Sequence, residues 1–364
     1  MRFCVTLVLQ INSREAKNEP PGLLKPDLTN PANGIHALNL IVYQIAEVLQ
    51  ASGYPEPIIW RSSPITTIAN NYDKLYIPQE SLSRSPKYTR YLSDGRLLRT
   101  HTTVIMPELL PHLQGEQLIL HPGICYRRDV VYKRHVGEPH QMDVWLISQQ
   151  QKLGRAALIQ LIAVIINAII PGVSYRLNET SHPYTCNGLE IEVLVNGNWI
   201  EIGECGEIHP NLLKRGYTGL ASGWGLDRLV MLVKGIDDIR LLRSNHLQIA
   251  AQMTNLETYN QVSNKPSISR DMSIVTGIDT DLEDICEQIL QVLGNEAEIL
   301  ESVEIFSETS YQQLPQTARQ RLGIQPHQKN FLLRMTLRSL YASITNQTAN
   351  NLRDLVYQQI HQGE

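Results

Sequence analysis

The stretch at residues 121–147, HPGICYRRDVVYKRHVGEPHQMDVWLI, constrains the fold more than any other part of the chain. Two apolar runs bracket a cationic, turn-prone segment, a pattern that predicts a long antiparallel hairpin. Arg127 and Arg128 leave the first strand, and a planar guanidinium suits bidentate contacts with phosphate or carboxylate. Alternation along the second strand predicts that Gln141 and Asp143 share one face. The hairpin therefore combines an anion-binding tip with a floor that suits an ammonium group.

Composition bounds the class of protein. The chain has 364 residues, of which 42% are hydrophobic and 19% charged, which is typical of a globular protein with two or three domains. A formal net charge of −4 gives no general nucleic-acid signal, so any RNA contact must come from local patches. The five cysteines form no CxxC pair, which favours a reducing cytoplasm over a zinc site or a disulfide framework.

Apolar patterns before and after the hairpin predict helices rather than membrane spans. Residues 1–34 are predicted to be an N-terminal arm or linker, and apolar positions at 38–49 recur at helical spacing up to Gly53. The longest apolar run, residues 156–170, falls short of the roughly 20 residues that a membrane crossing needs. It predicts a buried helix, and no membrane partner is expected.

The segment LLRTHTT, residues 97–103, has the alternation of a strand. As a strand it would place Arg99, His101 and Thr103 on one face, with the threonines between them on the other. A cation, an imidazole and a hydroxyl side by side could bind a polar ligand. A histidine satisfied inside the core is the alternative.

A second hairpin is predicted at residues 189–202, around the turn Asn196-Gly197-Asn198. Glu190 and Glu201 on its strands would be magnesium ligands if they face a nucleotide, and solvent-exposed side chains otherwise. The sequence GLASGWGLDR follows at 219–228. It is typical of a glycine-rich strand, along which a ligand can approach the backbone, that leads into a helix.

The chain from residue 262 onward predicts a separate α+β unit. Its order of elements is strand, helix, strand, strand, helix, typical of a ferredoxin-like sandwich that lacks its final strand. The missing strand would leave an open edge at the first strand. Arg334 and Arg338 in the last strand could contact phosphates, although scattered charge is usually a solvated face.

Several of these segments resemble the class II aminoacyl-tRNA synthetases, and in particular the phenylalanyl type. YRRD at 126–129 resembles motif 2, and PHQMD at 139–143 is similar to FHQ-x-E of the phenylalanyl enzymes. NYDKLYIP resembles NFDALNIP, LLRTHTT resembles LLRTHTS, and HPYT resembles FPFT. GLASGWGLDR with the following GIDDIR resembles motif 3, and SRDMSIV and FLLRMTLRS resemble the anticodon-binding ferredoxin-fold domain. The resemblance covers about residues 35–361 and the layout of the single-chain mitochondrial enzyme.

The resemblance implies a fold and a reaction. The fold class is α+β: a class II antiparallel sheet flanked by helices at residues 35–255, and the ferredoxin-like, anticodon-binding-like domain at 262–364. The reaction is ATP-dependent activation of an aromatic amino acid, with phenylalanine the simplest candidate, through an aminoacyl adenylate and ligation to tRNA. ATP and magnesium (Mg²⁺) are the implied cofactors. The implied assembly is a monomer, as in the single-chain relatives, or a homodimer through the region of residues 38–49.

The resemblance also implies a role for each matching residue. Arg127 and Arg228 would be catalytic, holding the α-phosphate and the outer phosphates respectively. The remaining ATP-binding residues would be Asp129, His135 and Gly225. The amino-acid site would be formed by His101, Thr103, Gln141, Asp143, His182, Tyr184 and Ala221. Glu190 and Glu201 would hold magnesium, and Arg334 and Arg338 would contact tRNA.

Three departures from the family pattern bear on specificity. Asp143 is one methylene shorter than the family's glutamate, so its ammonium contact must be rebuilt or lengthened. Ser222 and Trp224 replace bulky apolar residues and could resize a pocket floor beside Ala221. His182 and Tyr184 replace two phenylalanine rings, so the preferred side chain need not be plain phenylalanine, unless the two side chains pair with each other.

Two other functions are compatible with the same motifs. The first is a synthetase paralogue that activates a different amino acid or loads an acceptor other than tRNA. The second is a catalytically silent regulator or RNA-binding protein that keeps the fold. Retention of Arg127, Arg228 and Gln141 argues against the silent alternative.

Overall fold

The computed structural model describes residues 24–128, 136–262, 265–339 and 342–363, and the backbone alone of Leu9–Gln10. The chain forms two compact units. The first comprises residues 1–127, 138–236 and 251–259, and the second comprises residues 128–137, 237–250 and 260–364. Each unit has its own sheet.

An eight-stranded sheet forms the centre of the first unit. Its strands and those of a separate short pair are β1 Leu9–Gln10, β2 Pro57–Arg61, β3 Ile65–Thr66, β4 Leu97–Leu98, β5 Gln117–Ile124, β6 His140–Ser148, β7 Tyr175–Glu179, β8 Thr185–Val195, β9 Asn198–Ile208 and β10 Thr218–Gly225. The sheet order is β1-β2-β5-β6-β10-β9-β8-β7, while β3 pairs with β4. The pairs β1·β2 and β2·β5 are parallel, and the other pairs of the large sheet are antiparallel.

The helices of the first unit are α1 Ala37–Ala51, α2 Ile68–Asn71, α3 Met106–Leu109, α4 Arg155–Ile169 and α5 Leu226–Lys234. The predicted helix at 38–49 is confirmed as α1, whose apolar stripe is buried and which packs against α4 and α5. Gly53 follows the helix with φ +86°, a conformation that glycine adopts without strain. The long apolar run is confirmed as the buried helix α4.

The second predicted hairpin is also confirmed and is longer than expected. β8 and β9 are joined by Asn196 and Gly197, whose φ angles of 51° and 80° are typical of a two-residue hairpin turn with both central residues left-handed. Two irregularities shift the register of this pair: one between Cys186 and Leu189 with an extra residue in β8, and one between Ile191 and Glu192 with an extra residue in β9. The simple alternation of side chains therefore breaks along this hairpin.

Residues 24–34, the described part of the predicted arm, lie against other residues of the first unit. The Lys25 N–H donates to the Tyr126 hydroxyl at 3.0 Å, and the Leu28 N–H donates to His140 Nε2 at 3.1 Å. These contacts hold the arm against the strands of the first predicted hairpin.

The second unit contains β11 Ile268–Gly277, α7 Leu282–Leu293, β12 Leu300–Ser310, α8 Gln316–Leu322, β13 Gln328–Leu337 and α9 Asn346–Ile360, and α6 Leu247–Gln252 spans a boundary between segments of the two units. The order strand, helix, strand, strand, helix is as predicted, with α8 in a connection that was not expected to be helical. The sheet is antiparallel in the order β11-β13-β12, and α7 and α9 contribute to its apolar core.

The edge of this sheet at β11 is partly occupied. The Gln362 N–H donates to the Val275 carbonyl at 2.9 Å, and the Val275 N–H donates to His361 Nδ1 at 3.1 Å. The residues after α9 therefore contact the strand that the sequence predicted to be open.

Within the described ranges, no helix is both long enough and apolar enough to cross a membrane.

Candidate active site

The site is built around β6, which is hydrogen-bonded to β5 on one side and to β10 on the other. Asp143 lies opposite Gly223 of β10, and Gln141 lies opposite Gly225. The prediction that Gln141 and Asp143 share one face is confirmed. Because the neighbours on β10 are glycines, no side chain from that strand covers these two polar groups.

Asp143 is held from within the protein. Its Oδ1 accepts from the Thr102 hydroxyl at 2.6 Å, its Oδ2 accepts from Trp145 Nε1 at 3.0 Å, and only 5% of the residue is exposed. Burial raises the pKa of the Asp143 carboxyl, while hydrogen bonds from Thr102, Trp145 and Thr103 act in the opposite direction. The shorter carboxylate is thus anchored beneath the sheet face by neutral donors.

The segment LLRTHTT is not the strand that the sequence predicted. Only Leu97–Leu98 is extended into β4, and Thr102–Ile105 forms a 3-10 helix. His121 fixes the start of this turn, because its Nδ1 donates to the Thr102 carbonyl at 2.6 Å. The turn directs the Thr102 side chain to Asp143, whereas the strand hypothesis put it on the other face.

Arg99 is a structural residue, and its predicted place beside His101 is wrong. It is 1% exposed, and its Nε donates to the Ile124 carbonyl at 2.8 Å. A Cβ at Gly123 would lie 1.8 Å from the Arg99 guanidinium, so the glycine provides the room for it. The arginine joins the LLRTHTT segment to β5 through this hydrogen bond.

His101 presents an unused acceptor. Its Nε2 donates to the Asn71 carbonyl at 2.9 Å, which leaves Nδ1 unprotonated. That atom is buried and has no hydrogen-bond partner among the described residues. Burial, together with the charge of Arg127, lowers the pKa of His101 to about 4, so the ring is neutral at physiological pH.

Asn71 holds Thr100, the residue before His101, and Thr100 in turn contacts Arg127. Its Oδ1 accepts from the Thr100 N–H at 3.1 Å, and its Nδ2 donates to the Thr100 hydroxyl at 2.9 Å. The Thr100 carbonyl then accepts from Arg127 Nε at 2.9 Å. This contact fixes one edge of the Arg127 guanidinium through Nε and orients the terminal nitrogens.

Arg228 lies in the first turn of α5, directly after the glycine-rich strand β10, as motif 3 predicted. Its Nη1 donates to the Glu201 carbonyl and is 3.8 Å from the Glu201 carboxylate. Burial raises the pKa of Glu201, Arg228 lowers it, and Glu190 raises it further. The two predicted magnesium ligands lie on neighbouring strands, Glu190 opposite Glu204 and Glu201 opposite Glu192.

No group of three or more His, Cys, Asp or Glu side chains is arranged to hold a metal ion in the part of the chain that the structure describes.

His182 and Tyr184 meet at Glu204 of β9. His182 Nε2 forms an ion pair with one Glu204 oxygen, and the Tyr184 hydroxyl donates to the other at 3.0 Å. The hydrogen bond with Glu204 raises the pKa of His182. The alternative that the two side chains bond to each other is wrong, because their polar atoms go to Glu204 and their rings are 6.0 Å apart.

Ala221 faces the site, but the two residues expected to resize its floor do not. Ala221 is opposite Trp145, on the same side of the sheet as Gly223 and Asp143. Ser222 and Trp224 point to the other side by alternation, where Trp224 Nε1 donates to the Ser222 hydroxyl at 2.9 Å. The prediction of a resized floor from these two residues is therefore wrong.

Two predicted ATP ligands, Asp129 and His135, lie outside the described residues. The two arginines predicted to contact tRNA are in the second unit and are already paired. Arg334 Nε donates to Asp271 Oδ1 at 2.7 Å, and Arg338 Nε donates to Glu301 Oε2 at 2.7 Å.

Glu204, Asn71 and Thr102 were not identified from sequence. Asn71 stood in the quoted NYDKLYIP segment, but nothing in that pattern indicates which residue its amide contacts. Glu204 lies in β9, just beyond the hairpin range predicted from the sequence. The register shifts between β8 and β9 mean that simple alternation does not give its cross-strand neighbours. Thr102 was assigned to the wrong face by the strand hypothesis.

The sheet order and the convergence of residues from β6, β10 and the LLRTHTT segment define the class of protein. Residues 26–253 match the family of tRNA synthetases class II core domain (F). The chain is also 31% identical over 233 residues to the phenylalanine–tRNA ligase alpha subunit of Nostoc punctiforme (strain ATCC 29133 / PCC 73102), covering 62% of this chain and 69% of that protein. The corresponding subunit of Acaryochloris marina (strain MBIC 11017) is 31% identical over 228 residues, covering 61% and 68%.

The chain therefore belongs to the class II aminoacyl-tRNA synthetases, in the phenylalanine-type core family, and is an enzyme of the aminoacyl-tRNA ligase class. A solved structure of pyrrolysyl-tRNA synthetase from Desulfitobacterium hafniense is 16% identical, with a TM-score of 0.47 over 59% of this chain and 75% of that one.

Proposed function

We propose that this protein activates an amino acid with ATP, forms an aminoacyl adenylate, and transfers the aminoacyl group to tRNA, as a phenylalanine–tRNA ligase-type enzyme. The observation that carries the proposal is the position of β6 between β5 and β10. This arrangement brings residues of motif 2 and motif 3 to one sheet. It supports an ATP site beside an amino-acid site.

In the proposed first step, the amino-acid carboxylate attacks the α-phosphate of ATP and pyrophosphate leaves. Arg127, oriented by the Thr100 carbonyl, would neutralise charge on the α-phosphate and the attacking carboxylate. Arg228, oriented by the Glu201 carbonyl, would hold the outer phosphates. Asp129, His135 and Gly225 are the other residues proposed to bind ATP. The protein's contribution is mainly positioning and charge neutralisation.

The amino group of the substrate would lie over the β6 face. The unprotonated His101 Nδ1 can accept a hydrogen bond from this amino group, and Gln141 and Asp143 supply further hydrogen-bond acceptors. Thr103, which is buried in the turn next to Thr102, would align the substrate between its amino group and its side chain. Ala221 would border the same space.

Glu190 and Glu201 would hold magnesium from the neighbouring strands β8 and β9, beside Arg228, and carboxylate oxygens are the ligands that this ion takes. Magnesium is commonly bound by one or two carboxylates together with substrate phosphates, so a larger protein cluster is not required. The ion would supply charge to the leaving pyrophosphate.

The second unit is proposed to contact tRNA, with Arg334 and Arg338 as candidate residues. Both are paired with carboxylates, so each would have to share or exchange its partner to bind a phosphate. The four described cysteines are free thiols, which is compatible with the cytoplasm as the proposed location.

Charging of tRNA with labelled amino acids tests the proposal. Wild-type protein should charge total tRNA, and Arg127→Ala and Arg228→Ala should each lower the rate by about 100-fold or more, the usual range for loss of a transition-state charge contact. Arg96→Ala is the control, because this arginine is bound to Asp94 and belongs to no part of the proposed site. It should charge at the wild-type rate.

Adenylate formation without transfer to any tRNA would exclude tRNA as the acceptor and favour the paralogue that loads another molecule. Absence of both adenylate and charged tRNA would contradict the proposed function.

A further inference from the structure

Glu204 occupies a central place on the site face of the sheet. It lies opposite Gly223 of β10, which in turn lies opposite Asp143 of β6. A Cβ built on Gly223 would meet only Asp143 Oδ1 at 3.8 Å and Glu204 Cγ at 3.9 Å within 4 Å. Gly223 is itself only half-buried, so there is room above it for a small group between these two carboxylate side chains.

Glu204 retains capacity for another hydrogen bond. A carboxylate has about four acceptor positions, and the contacts with His182 and Tyr184 use one on each oxygen. Its side chain is 41% exposed, whereas that of His182 is 16% exposed. A ligand over Gly223 can thus reach the Glu204 carboxylate, which its two protein partners hold in place.

An apolar ring in this space would be poorly matched. A phenyl group packed against Glu204 would exclude water from the carboxylate and offer no donor in return, which is unfavourable for a charged group. A hydroxyl, amide or amine at the end of the substrate side chain would replace the lost water. The Glu204 carboxylate therefore favours substrates whose side chain carries a hydrogen-bond donor.

We propose that Glu204, held by His182 and Tyr184, is a specificity-determining residue that selects an amino acid whose side chain carries a hydrogen-bond donor over phenylalanine. The inference rests on the proposed function, because it assigns the side-chain end of that same substrate site. Sites built to hydrogen-bond a substrate group reject the analogue that lacks it by roughly 10⁴-fold, so a preference of at least about 100-fold is expected.

The test is amino-acid-dependent pyrophosphate exchange across the twenty standard amino acids, with phenylalanine and tyrosine as the closely matched pair. Wild-type protein should show the highest kcat/KM with a donor-bearing side chain, at least about 100-fold above phenylalanine. Glu204→Ala should lower the ratio of the preferred amino acid to phenylalanine by at least about tenfold. Glu204→Gln, which keeps an acceptor for the Tyr184 hydroxyl, guards against loss of folding and should lower the same ratio.

The matched control is Glu207→Ala, on the same strand. The Glu207 carboxylate accepts from Asn187 Nδ2 at 3.1 Å and has no contact with His182 or Tyr184 among the described interactions. This variant should keep the wild-type ratio.

A wild-type preference for phenylalanine would overturn the inference and leave the proposed function intact. An unchanged ratio in folded Glu204→Gln, or an equal change in Glu207→Ala, would also overturn it. No exchange with any amino acid would remove the proposed function itself, which is a different result from exchange with the wrong one.

Discussion

Replacing Asn71 with alanine should reduce catalysis indirectly, because Asn71 does not contact the substrate but holds Thr100, which orients Arg127. The side chain makes two hydrogen bonds to Thr100 in a fully buried position. Each such bond contributes about 0.5–1.5 kcal/mol, and the buried Thr100 N–H left without a partner costs about 1–3 kcal/mol. We expect the free energy of unfolding to fall by about 2–6 kcal/mol.

The catalytic effect follows from the Thr100 carbonyl, which orients Arg127. A misplacement of roughly 1 Å can cost about 100-fold in rate, so kcat for pyrophosphate exchange should fall by about 10- to 100-fold. The Asn71 carbonyl still accepts from His101 in the variant, because the backbone is unchanged. KM for the amino acid should therefore change less than kcat.

Asn70→Ala is the matched control, since Asn70 is the preceding residue of α2 and donates to Glu108 Oε1 at 2.7 Å. It should lose about 1 kcal/mol of stability and keep the wild-type kcat. Thermal unfolding and exchange kinetics on both variants decide the matter. If folded Asn71→Ala keeps the same kcat as Asn70→Ala, the positioning argument is refuted.

Four further predictions concern the large sheet and its site. Because Glu204 raises the pKa of His182, the ion pair stabilises the fold fully below the ordinary histidine pKa of about 6.5 and less as pH rises through the raised value. The difference in melting temperature between wild type and His182→Gln should therefore shrink as pH rises over that range. A difference that grows with pH would contradict the ion pair. Gly223→Ala should fold normally, because its Cβ would make ordinary contacts, but should raise KM for the amino acid about tenfold or more by filling the open space; unchanged KM would show that the substrate does not lie there. Gly203→Ala should lower the free energy of unfolding by about 1–3 kcal/mol or more in denaturant titrations, because its Cβ would lie 2.2 Å from the Gly223 carbonyl oxygen; stability equal to that of Gly223→Ala would contradict this packing. Asp143→Asn should raise KM for the amino acid more than it lowers kcat, since the amide keeps an acceptor for Thr102 but loses the charge beside the ammonium group; an effect on kcat alone would place Asp143 outside the ammonium site.

Much of the fold could be predicted because it depends on local pattern. The apolar spacing that predicted α1 and α4 and the alternation that put Gln141 and Asp143 on one face are properties of neighbouring residues. The Asn-Gly turn fixed the second hairpin in the same way. Motif order then placed Arg127 after β5 and Arg228 in α5 after β10, the two strands that flank β6.

The errors arise where distant residues override local pattern. The LLRTHTT segment alternates like a strand, but His121 and Asn71 bind its backbone and favour a turn at Thr102. Neither contact is visible in the segment itself.

The contact of Glu204 with His182 and Tyr184 was not predicted for a related reason. Glu204 meets His182 and Tyr184 at a hairpin whose two strands are shifted in register at two places, so a regular alternation assigns the wrong neighbours. Only the folded arrangement shows that the two residues replacing aromatic rings share a carboxylate.

The most direct test of the central claim is pyrophosphate exchange by wild-type protein and Arg127→Ala under identical conditions. The account predicts exchange that requires an amino acid and that falls by about 100-fold or more in the variant, while Arg96→Ala is unaffected. Exchange that survives the loss of Arg127, or that does not depend on any amino acid, would contradict it.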